Sequence, residues 1–132
     1  MINVPRTPAD RVERIRAWVE SLTAALEAGD LDAVGRLFAI ECSWQAGPFA
    51  PVLRGRAAIR AALETRLAAM PGLDTSAEVL GAGSTYAVVR WTLTWGAQGA
   101  GEHADGVLLV ALDPFGRGAA IREWTLTEPL PV

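Results

Sequence analysis

The carboxylate in the stretch AAIREWTLTE is the side chain of this sequence best placed to do chemistry. In the two-residue period of a β-strand, Glu123 shares a face with Ile121, whereas Arg122 and Trp124 fall on the other face. Neither face is uniformly polar or apolar. The period therefore leaves two interpretations open: a solvated strand residue, or an acid–base group directed into a pocket.

A second pair with chemical potential is His103 and Asp105, which stand two residues apart in another predicted strand. Residues at this spacing share one face of a strand, where an imidazole and a carboxylate can act together as an acid–base dyad. His103 follows a glycine-rich turn, so a solvated hairpin end is the alternative for it. The alternative for Asp105 is a side chain that braces the sheet.

Metal and thiol chemistry are disfavoured by the residue counts. The chain has one cysteine, Cys42, and one histidine, so no internal disulfide and no cluster of thiolate or imidazole ligands can form. We expect no metal site and no cofactor, and we expect Cys42 to be buried and inert.

The N-terminal half of the sequence carries the patterns of helices. Thr7, Pro8 and Asp10 form a capping box with proline in the first turn, and apolar residues then recur at three- and four-residue steps until Gly29. A short second helix is predicted after Asp30, and a third helix is predicted after residue 55. Between them we expect a short strand around 41–45, followed by an irregular loop that contains two prolines.

From about residue 74 the hydrophobic period changes to two. Four strands are predicted in DTSAEVLGAG, TYAVVRWTLTWG, EHADGVLLVALD and AAIREWTLTEPL. Helices followed by a meander of strands indicate an α+β fold with helices on one face of an antiparallel sheet. The length is that of a single domain, which we take as residues 1–132.

The strand that contains Trp91 raises the question of which sheet face the helices cover. Trp91 shares a face with residues 89, 93 and 95, and Arg90 shares the other with residues 88, 92 and 94. If the tryptophan face is uncovered, it forms an apolar patch that predicts a homodimer through the sheet. If the helices cover it, Arg90 and the threonines beside it lie in water. The pattern alone leaves both arrangements open.

Charge and hydropathy exclude some partners. The net charge is −3 and the basic residues are scattered, so we expect no binding to nucleic acid. No apolar run approaches the about 20 residues that span a bilayer, and the first residues lack the pattern of a signal peptide. We therefore expect a cytoplasmic protein without a membrane partner.

The order of these elements resembles the nuclear transport factor 2-like superfamily, and within it the SnoaL-like, polyketide-cyclase-type branch. The similar segments are ALEAGDLDAVGRLFAIECSW, RGRAAIRAAL and DGVLLVALDPFGRGAAIREW, and the resemblance runs from about residue 12 to residue 128. It implies a cone-like α+β barrel, in which three N-terminal helices pack on a curved, mostly antiparallel sheet around an apolar pocket, usually as a homodimer. Its members include isomerases, cyclases, dehydratases, epoxide hydrolases and non-catalytic modules, so the scaffold does not determine the function.

Two of the catalytic patterns found on this scaffold are absent here. The ketosteroid isomerase pattern places its base at Ala46 or Gly47 and its two oxyanion donors at Leu22 and Leu108. The scytalone dehydratase pattern needs two histidines in the pocket, and His103 is the one histidine of the chain. The resemblance therefore implies neither reaction.

The limonene epoxide hydrolase pattern fits better. Arg90 stands at the place of its arginine and Glu123, after Arg122, at the place of its last-strand acid, whereas Thr92 replaces its other acid. SnoaL-type cyclases keep a histidine where Glu123 stands. The resemblance thus implies that Arg90 lies beside Glu123, lowers the pKa of its carboxyl group and orients it as a base.

These observations lead to one functional hypothesis and one alternative. The hypothesis is a domain with an apolar pocket for a small hydrophobic molecule, on which it can act as an isomerase-, cyclase- or hydrolase-type enzyme with Glu123 as base and Arg90 as orienting group. The other residues assigned to the binding of the substrate are Trp44, Thr92, Asp105, Leu108 and Leu22. The alternative is a non-catalytic ligand-binding or dimerisation module, in which Glu123 and Arg90 are a structural ion pair and Trp44 belongs to the core. That alternative predicts a pocket that is small, dry or filled by tryptophan side chains.

Overall fold

The computed structural model of the chain describes residues 7–96 and 101–128. The elements in chain order are α1 (Pro8–Ala28), α2 (Leu31–Arg36), β1 (Phe38–Ala46), β2 (Val52–Arg54), α3 (Arg56–Ala68), β3 (Asp74–Ala82), β4 (Ala87–Trp95), β5 (Glu102–Leu112) and β6 (Gly118–Glu128). The three helices and the four later strands were expected from the sequence. Two expectations were wrong: β1 begins at residue 38 rather than near 41, and the expected irregular loop contains the short strand β2.

The boundaries of α1 follow from local chemistry. The Thr7 side chain accepts a hydrogen bond from the backbone N–H of Asp10, and the Asp10 side chain accepts one from the backbone N–H of Thr7. Gly29 ends the helix with a φ of 66°, in the left-handed region that glycine adopts without strain. Although α1 is 21 residues long, no helix in the described ranges is both long and apolar enough to cross a membrane.

The strands form one six-stranded sheet in the order β2-β1-β6-β5-β4-β3. β1 runs parallel to β6, and the other neighbouring strands of the described chain pair antiparallel. The three helices pack against this mixed, mostly antiparallel and curved sheet, which confirms the α+β fold class and agrees with the expected cone.

The helices cover the face of the sheet that carries Trp91. In β4 the side chains of Val89, Trp91 and Leu93 are at most 2% exposed, whereas the alternate residue Arg90 is exposed. The arrangement that leaves Arg90 and its neighbouring threonines in water is therefore the one that the protein adopts. A dimer through the Trp91 face is excluded, since that face is already buried against the helices.

Large aromatic side chains fill the space between α1 and the sheet. They form a continuous series, with ring-centroid distances of 5.7 Å from Trp18 to Phe38, 6.0 Å from Phe38 to Trp44 and 6.4 Å from Trp44 to Trp91. The indole N–H of Trp18 donates to the carbonyl of Leu37, so the polar atom of this buried ring is satisfied. The interior of the cone is consequently packed with aromatic rings in the region where the sequence predicted a pocket.

Candidate functional site

Glu123 lies on the buried face of β6, within the core rather than at the surface. Its register partners are Ala46 in the parallel strand β1 and Leu108 in the antiparallel strand β5. The residue is 2% exposed, and it is the one charged or polar residue classed as buried in the described part of the chain. Burial of a carboxylate is costly unless hydrogen bonds replace its hydration, so its partners define the site.

Four hydrogen bonds converge on the Glu123 carboxylate. Arg66 donates to both oxygens, from Nη1 to Oε1 at 2.8 Å and from Nη2 to Oε2 at 2.7 Å. The indole N–H of Trp44 donates to Oε1 at 3.0 Å, and the hydroxyl of Thr125 donates to Oε2 at 2.6 Å. The Thr125 hydroxyl in turn accepts from the indole N–H of Trp91 at 3.0 Å. Four donors match the about four acceptor sites of a carboxylate, so this group is fully satisfied.

These contacts hold Glu123 in its ionised form. Burial, the largest single influence, raises the pKa of the carboxyl group. The hydrogen bonds and the charge of Arg66, together with the hydrogen bonds from Thr125 and Trp44, more than offset burial, and the net pKa is lower than that of an ordinary glutamate. At neutral pH the carboxylate therefore has no proton to donate, and it is a weak base.

Helix α3 supplies the arginine of the site. Ile59 and Leu63 are the buried residues of this helix, and Arg66 follows Leu63 by three residues, so it lies on the same side. Its guanidinium carbon is 5.6 Å from the centroid of the Trp91 ring, a cation–π contact that adds to the ion pair. The Arg66 side chain is 26% exposed, so its guanidinium group connects the buried carboxylate with the surface.

The prediction that Arg90 contacts Glu123 is wrong. Arg90 belongs to the outer face of the sheet, where its guanidinium group donates to the Asp105 carboxylate at 3.2 and 2.6 Å. Side chains alternate across a sheet, and the register sets Arg90 beside Val107 and not beside Leu108, the partner of Glu123. The Arg90 and Asp105 side chains are 51% and 39% exposed, so this is a surface ion pair that braces β4 against β5.

The other residues assigned to the substrate do not line an enclosed pocket. Thr92 lies on the outer face with Arg90, and its register partner is Asp105. Leu22 and Leu108 have no exposed surface and pack in the core. Trp44 does lie beside Glu123, but at 2% exposure its ring has no free face for a flat ligand. The expected apolar pocket is thus occupied by the protein's own side chains, and only about 10 Å³ remains beneath Arg66 and Trp91, about the space of one water molecule.

The open space next to the site is a groove of about 630 Å³ outside the cluster. From the buried side it is bordered by Arg66, Glu123 and Thr125, and from the end of β1 by residues 46–48. The outer-face residues on its border include Arg90, Asp105, Trp124 and Leu126. Of the Glu123 network, Arg66 and Thr125 are partly exposed at this groove, whereas Glu123 and Trp44 are buried.

Gly106 lets β5 and β6 approach closely where Thr125 is held. A Cβ atom at this position would lie 2.4 Å from the Thr125 hydroxyl and 2.4 Å from the carbonyl oxygen of Trp124. Thr125 is the register partner of Gly106, so any side chain here would displace the threonine that donates to Glu123.

Sequence reasoning missed Arg66 and Thr125. A signal for Arg66 was present, because a charged residue at three residues from Leu63 and four from Met70 interrupts the apolar side of α3. A signal for Thr125 was also present, since it shares the strand face of Glu123. Neither signal identifies the partner, because the Arg66–Glu123 contact joins residues 57 positions apart.

Metal and thiol groups contribute nothing to the described site. In residues 7–96 and 101–128 no three His, Cys, Asp or Glu side chains are arranged to hold a metal ion. Cys42 is buried, and burial raises the pKa of its thiol more than Arg56 and a backbone hydrogen bond at Gly55 lower it. A thiol in this state is a poor nucleophile.

A comparison with known protein families and curated proteins gives one family match. A family model described as the SnoaL-like domain matches residues 15–124. No curated protein matches the sequence significantly.

Several solved structures share the fold. Rv0760c of Mycobacterium tuberculosis has a TM-score of 0.71 and 16% identity, over 87% of this chain and 96% of that one. SalBIII, an epoxide hydrolase/cyclase-like enzyme in pyran ring formation in the polyether salinomycin, has a TM-score of 0.73 and 19% identity, over 86% and 91%. An LEH-like epoxide hydrolase of M. tuberculosis has a TM-score of 0.70 and 17% identity, over 87% and 84%. At these identities the similarity concerns the fold.

Proposed function

This chain belongs to the SnoaL-like domain family, and on that premise we propose that it binds a small, mostly apolar molecule in the groove beside Glu123. In this proposal Arg66 is the polar group that meets the ligand, and Glu123 holds Arg66 in place. The bidentate Arg66–Glu123 pair at the wall of the groove is the observation that carries the proposal.

The unused donors of Arg66 support this role. A guanidinium group has five N–H donors, and in the described part of the chain two of them donate to Glu123, so three remain. The carboxylate partner is 2% exposed and the arginine 26% exposed, which leaves the arginine as the accessible member of the pair. A ligand with a hydrogen-bond-accepting oxygen, such as a carbonyl or an ether, satisfies these donors. The names of SalBIII and the tuberculosis epoxide hydrolase also refer to oxygen-containing organic molecules.

The state of Glu123 argues against its use as the base. Both of its oxygens are engaged by two donors each, and its lowered pKa makes it a weak base. A proton transfer to Glu123 requires the loss of at least one of these hydrogen bonds. The proposal therefore favours the binding module over an enzyme in which Glu123 removes a proton.

The binding experiment uses styrene oxide and 2-decalone as probes, titrated by NMR into the wild-type chain, Arg66→Lys and Arg60→Lys. Arg66→Lys retains the charge that Glu123 requires but loses the planar fork, whereas Arg60 is an exposed arginine of the same helix. We expect about tenfold weaker binding for Arg66→Lys, which corresponds to about 1.4 kcal/mol, and unchanged binding for Arg60→Lys. Equal affinities in all three proteins contradict the proposal.

A turnover measurement distinguishes a binding module from an enzyme in which Glu123 is the base. The wild-type chain and Glu123→Gln are incubated with styrene oxide, and diol formation is measured. If the chain is a binding module, we expect the same rate of diol formation with the wild type and with Glu123→Gln. Diol formation by the wild type that Glu123→Gln abolishes, with the fold retained, would instead identify Glu123 as a base.

A homodimer through the outer sheet face is the second part of the proposal. This face carries Trp124 and Leu126, which are 40% and 81% exposed, and Arg122 lies 5.3 Å over the Trp124 ring. Exposed apolar side chains of this size on a sheet favour a partner surface. The cytoplasmic location and the absence of nucleic-acid binding stay predictions from the sequence.

A further inference from the structure

A second cavity, of about 340 Å³, lies at the end of the molecule that contains the N-terminal half of α1. It is bounded by that half helix, by the turn between β3 and β4 and by the turn between β5 and β6. None of its lining residues also borders the groove beside Glu123. The two spaces are thus separate, and an inference about this cavity does not rest on the proposed function.

The charged wall of this cavity is net positive. Arg11 and Arg14 line it from α1, and Asp113 lines it from the turn after β5. The Asp113 carboxylate already accepts hydrogen bonds from the backbone N–H groups of residues 115 and 117 and from the Arg117 side chain, so its charge is neutralised locally. Arg14 donates to the carbonyl of Pro114 at 2.7 Å, which fixes it against the same turn.

Arg11 is the group of this cavity that the protein leaves unsatisfied. No described residue accepts a hydrogen bond from its side chain, and its Nε is cut off from solvent without a partner. Since Nε alone is cut off, the terminal nitrogens of Arg11 remain accessible at the cavity wall. The terminal nitrogens therefore lack an acceptor among the described residues, and an anionic ligand in the cavity would supply one.

The floor of the cavity is apolar. Ile15, Ala87 and Val110 are all buried core residues that line it, and Leu112 adds a partly buried side chain. The Tyr86 phenol stands at the rim, 41% exposed, in a turn closed by the hydrogen bond from the Gly83 N–H to the Tyr86 carbonyl. The volume falls in the range of small-molecule sites, which combine apolar walls with a few placed polar groups.

We propose that this cavity is a binding site for a small organic carboxylate. Its carboxylate group pairs with the terminal nitrogens of Arg11, because the planar guanidinium fork matches the two oxygens of a carboxylate. The apolar body of the ligand then covers Ile15 and Val110 on the floor. A monoanion fits better than a phosphate dianion, because Arg11 is the one guanidinium group of this wall proposed to pair with the ligand, and it lacks an acceptor among the described residues.

The test uses sodium hexanoate as the probe and 1-hexanol as its uncharged analogue, with backbone amide shifts recorded by NMR on the whole chain. Three proteins are compared: the wild type, Arg11→Gln, and Arg16→Gln. Arg16 is an exposed arginine of the same helix that pairs with Glu13, so its variant makes the same charge change outside the cavity. We expect hexanoate to shift the amides of residues 83–87, with a Kd raised about tenfold or more in Arg11→Gln and unchanged in Arg16→Gln.

Three outcomes overturn the inference: hexanol binding as tightly as hexanoate, an equal Kd for Arg11→Gln and the wild type, or shifts confined to other parts of the chain. Arg11→Lys checks that a loss in Arg11→Gln reflects the lost guanidinium contact, since lysine keeps the charge and is expected to recover part of the affinity. Arg66→Lys is expected to bind hexanoate like the wild type, so a failure of the groove proposal and a failure of this one are distinguishable.

Discussion

A glutamate side chain that is 2% exposed has lost nearly all of its hydration, and in this protein four hydrogen bonds replace the lost water. A buried ion pair adds little net stability against an apolar pair of the same shape, because desolvation offsets the attraction. Removal of one partner is different, since it leaves a charge without a counter-charge. The Arg66–Glu123 pair is therefore better described as a constraint on geometry, which orients Arg66 toward the groove, than as a source of stability.

The variant Glu123→Gln tests how much stability is lost when one partner of this buried pair loses its charge. The amide cannot accept both N–H groups of the Arg66 fork, and its NH₂ group faces other donors. We expect a loss of about 3 kcal/mol in the free energy of unfolding at pH 7, the lower end of the range for a broken buried pair, since Arg66 is partly exposed and can be rehydrated. Urea unfolding measures this loss, and Glu13→Gln in the surface pair with Arg16 is the control, with less than about 1 kcal/mol expected.

A comparison of the wild type with Glu123→Gln also tests the lowered pKa of Glu123. A carboxyl group whose pKa is lower in the folded than in the unfolded state stabilises the fold above the unfolded pKa, and that stabilisation is lost as the pH falls. The advantage of the wild type over Glu123→Gln should thus be constant near neutral pH and shrink below about pH 4.3. Asp105 and Asp113 also have lowered pKa values, but both proteins contain them, so they cancel in the difference. A difference that stays constant down to pH 3 contradicts the lowered pKa.

At the scale of the elements, the site depends on how β5 and β6 approach each other. The two strands are joined along their whole length by an antiparallel register, and Gly106 is the point at which a side chain would strike the opposite strand. The atoms in the way are the Thr125 Cα and the Trp124 carbonyl, which belong to the backbone and cannot rotate aside. The close approach in turn holds Thr125 against Glu123.

Gly106→Ala should therefore destabilise the sheet. A methyl group placed 2.4 Å from backbone and hydroxyl oxygens is overpacking, for which we expect a loss of about 2–3 kcal/mol or more. Gly81→Ala in β3 is the matched control, because a Cβ atom there meets nothing within 4 Å, and its effect should stay below about 1 kcal/mol. Thermal unfolding compares the two variants. Equal stabilities would show that β5 can move away from β6 without cost.

At the scale of the whole molecule, the sheet has one face under the helices and one face that no other described element covers. The uncovered face is a mixture of the exposed ion pair Arg90–Asp105 and apolar side chains at Trp124 and Leu126. A sheet with helices on one side commonly leaves its other face in water, and polar residues then dominate that face. The exposed Trp124 and Leu126 instead favour association of two copies.

Sedimentation velocity at micromolar concentration tests the dimer. The chain has a mass of 14.0 kDa, and we expect the wild type to sediment as a species of about twice that mass. Leu126→Asp, on the uncovered face, should sediment as a monomer because the new charge would be buried without a partner. Phe115→Asp, on the exposed turn after β5, is the control and should remain a dimer. A monomeric wild type contradicts this part of the proposal.

The sequence by itself determined what depends on near neighbours in the chain. The start of α1 follows from Thr7 and Asp10 three residues apart, and its end follows from Gly29, so both were predictable. The period of two in β4 was equally clear, but the period does not state which face the helices cover. The strand β2 was missed because its three residues are held by pairing with β1 rather than by a pattern of their own.

The tertiary structure alone decided the partners of Glu123. The resemblance to known pockets led to Arg90, which alternation across the sheet sends to the opposite face, where it pairs with Asp105. The actual partner, Arg66, comes from a helix 57 positions earlier in the chain, and such a contact depends on how α3 packs against the sheet. A sequence pattern reports on residues a few positions apart, whereas the charge state of a buried carboxylate is determined by whatever the fold brings within about 3 Å of it.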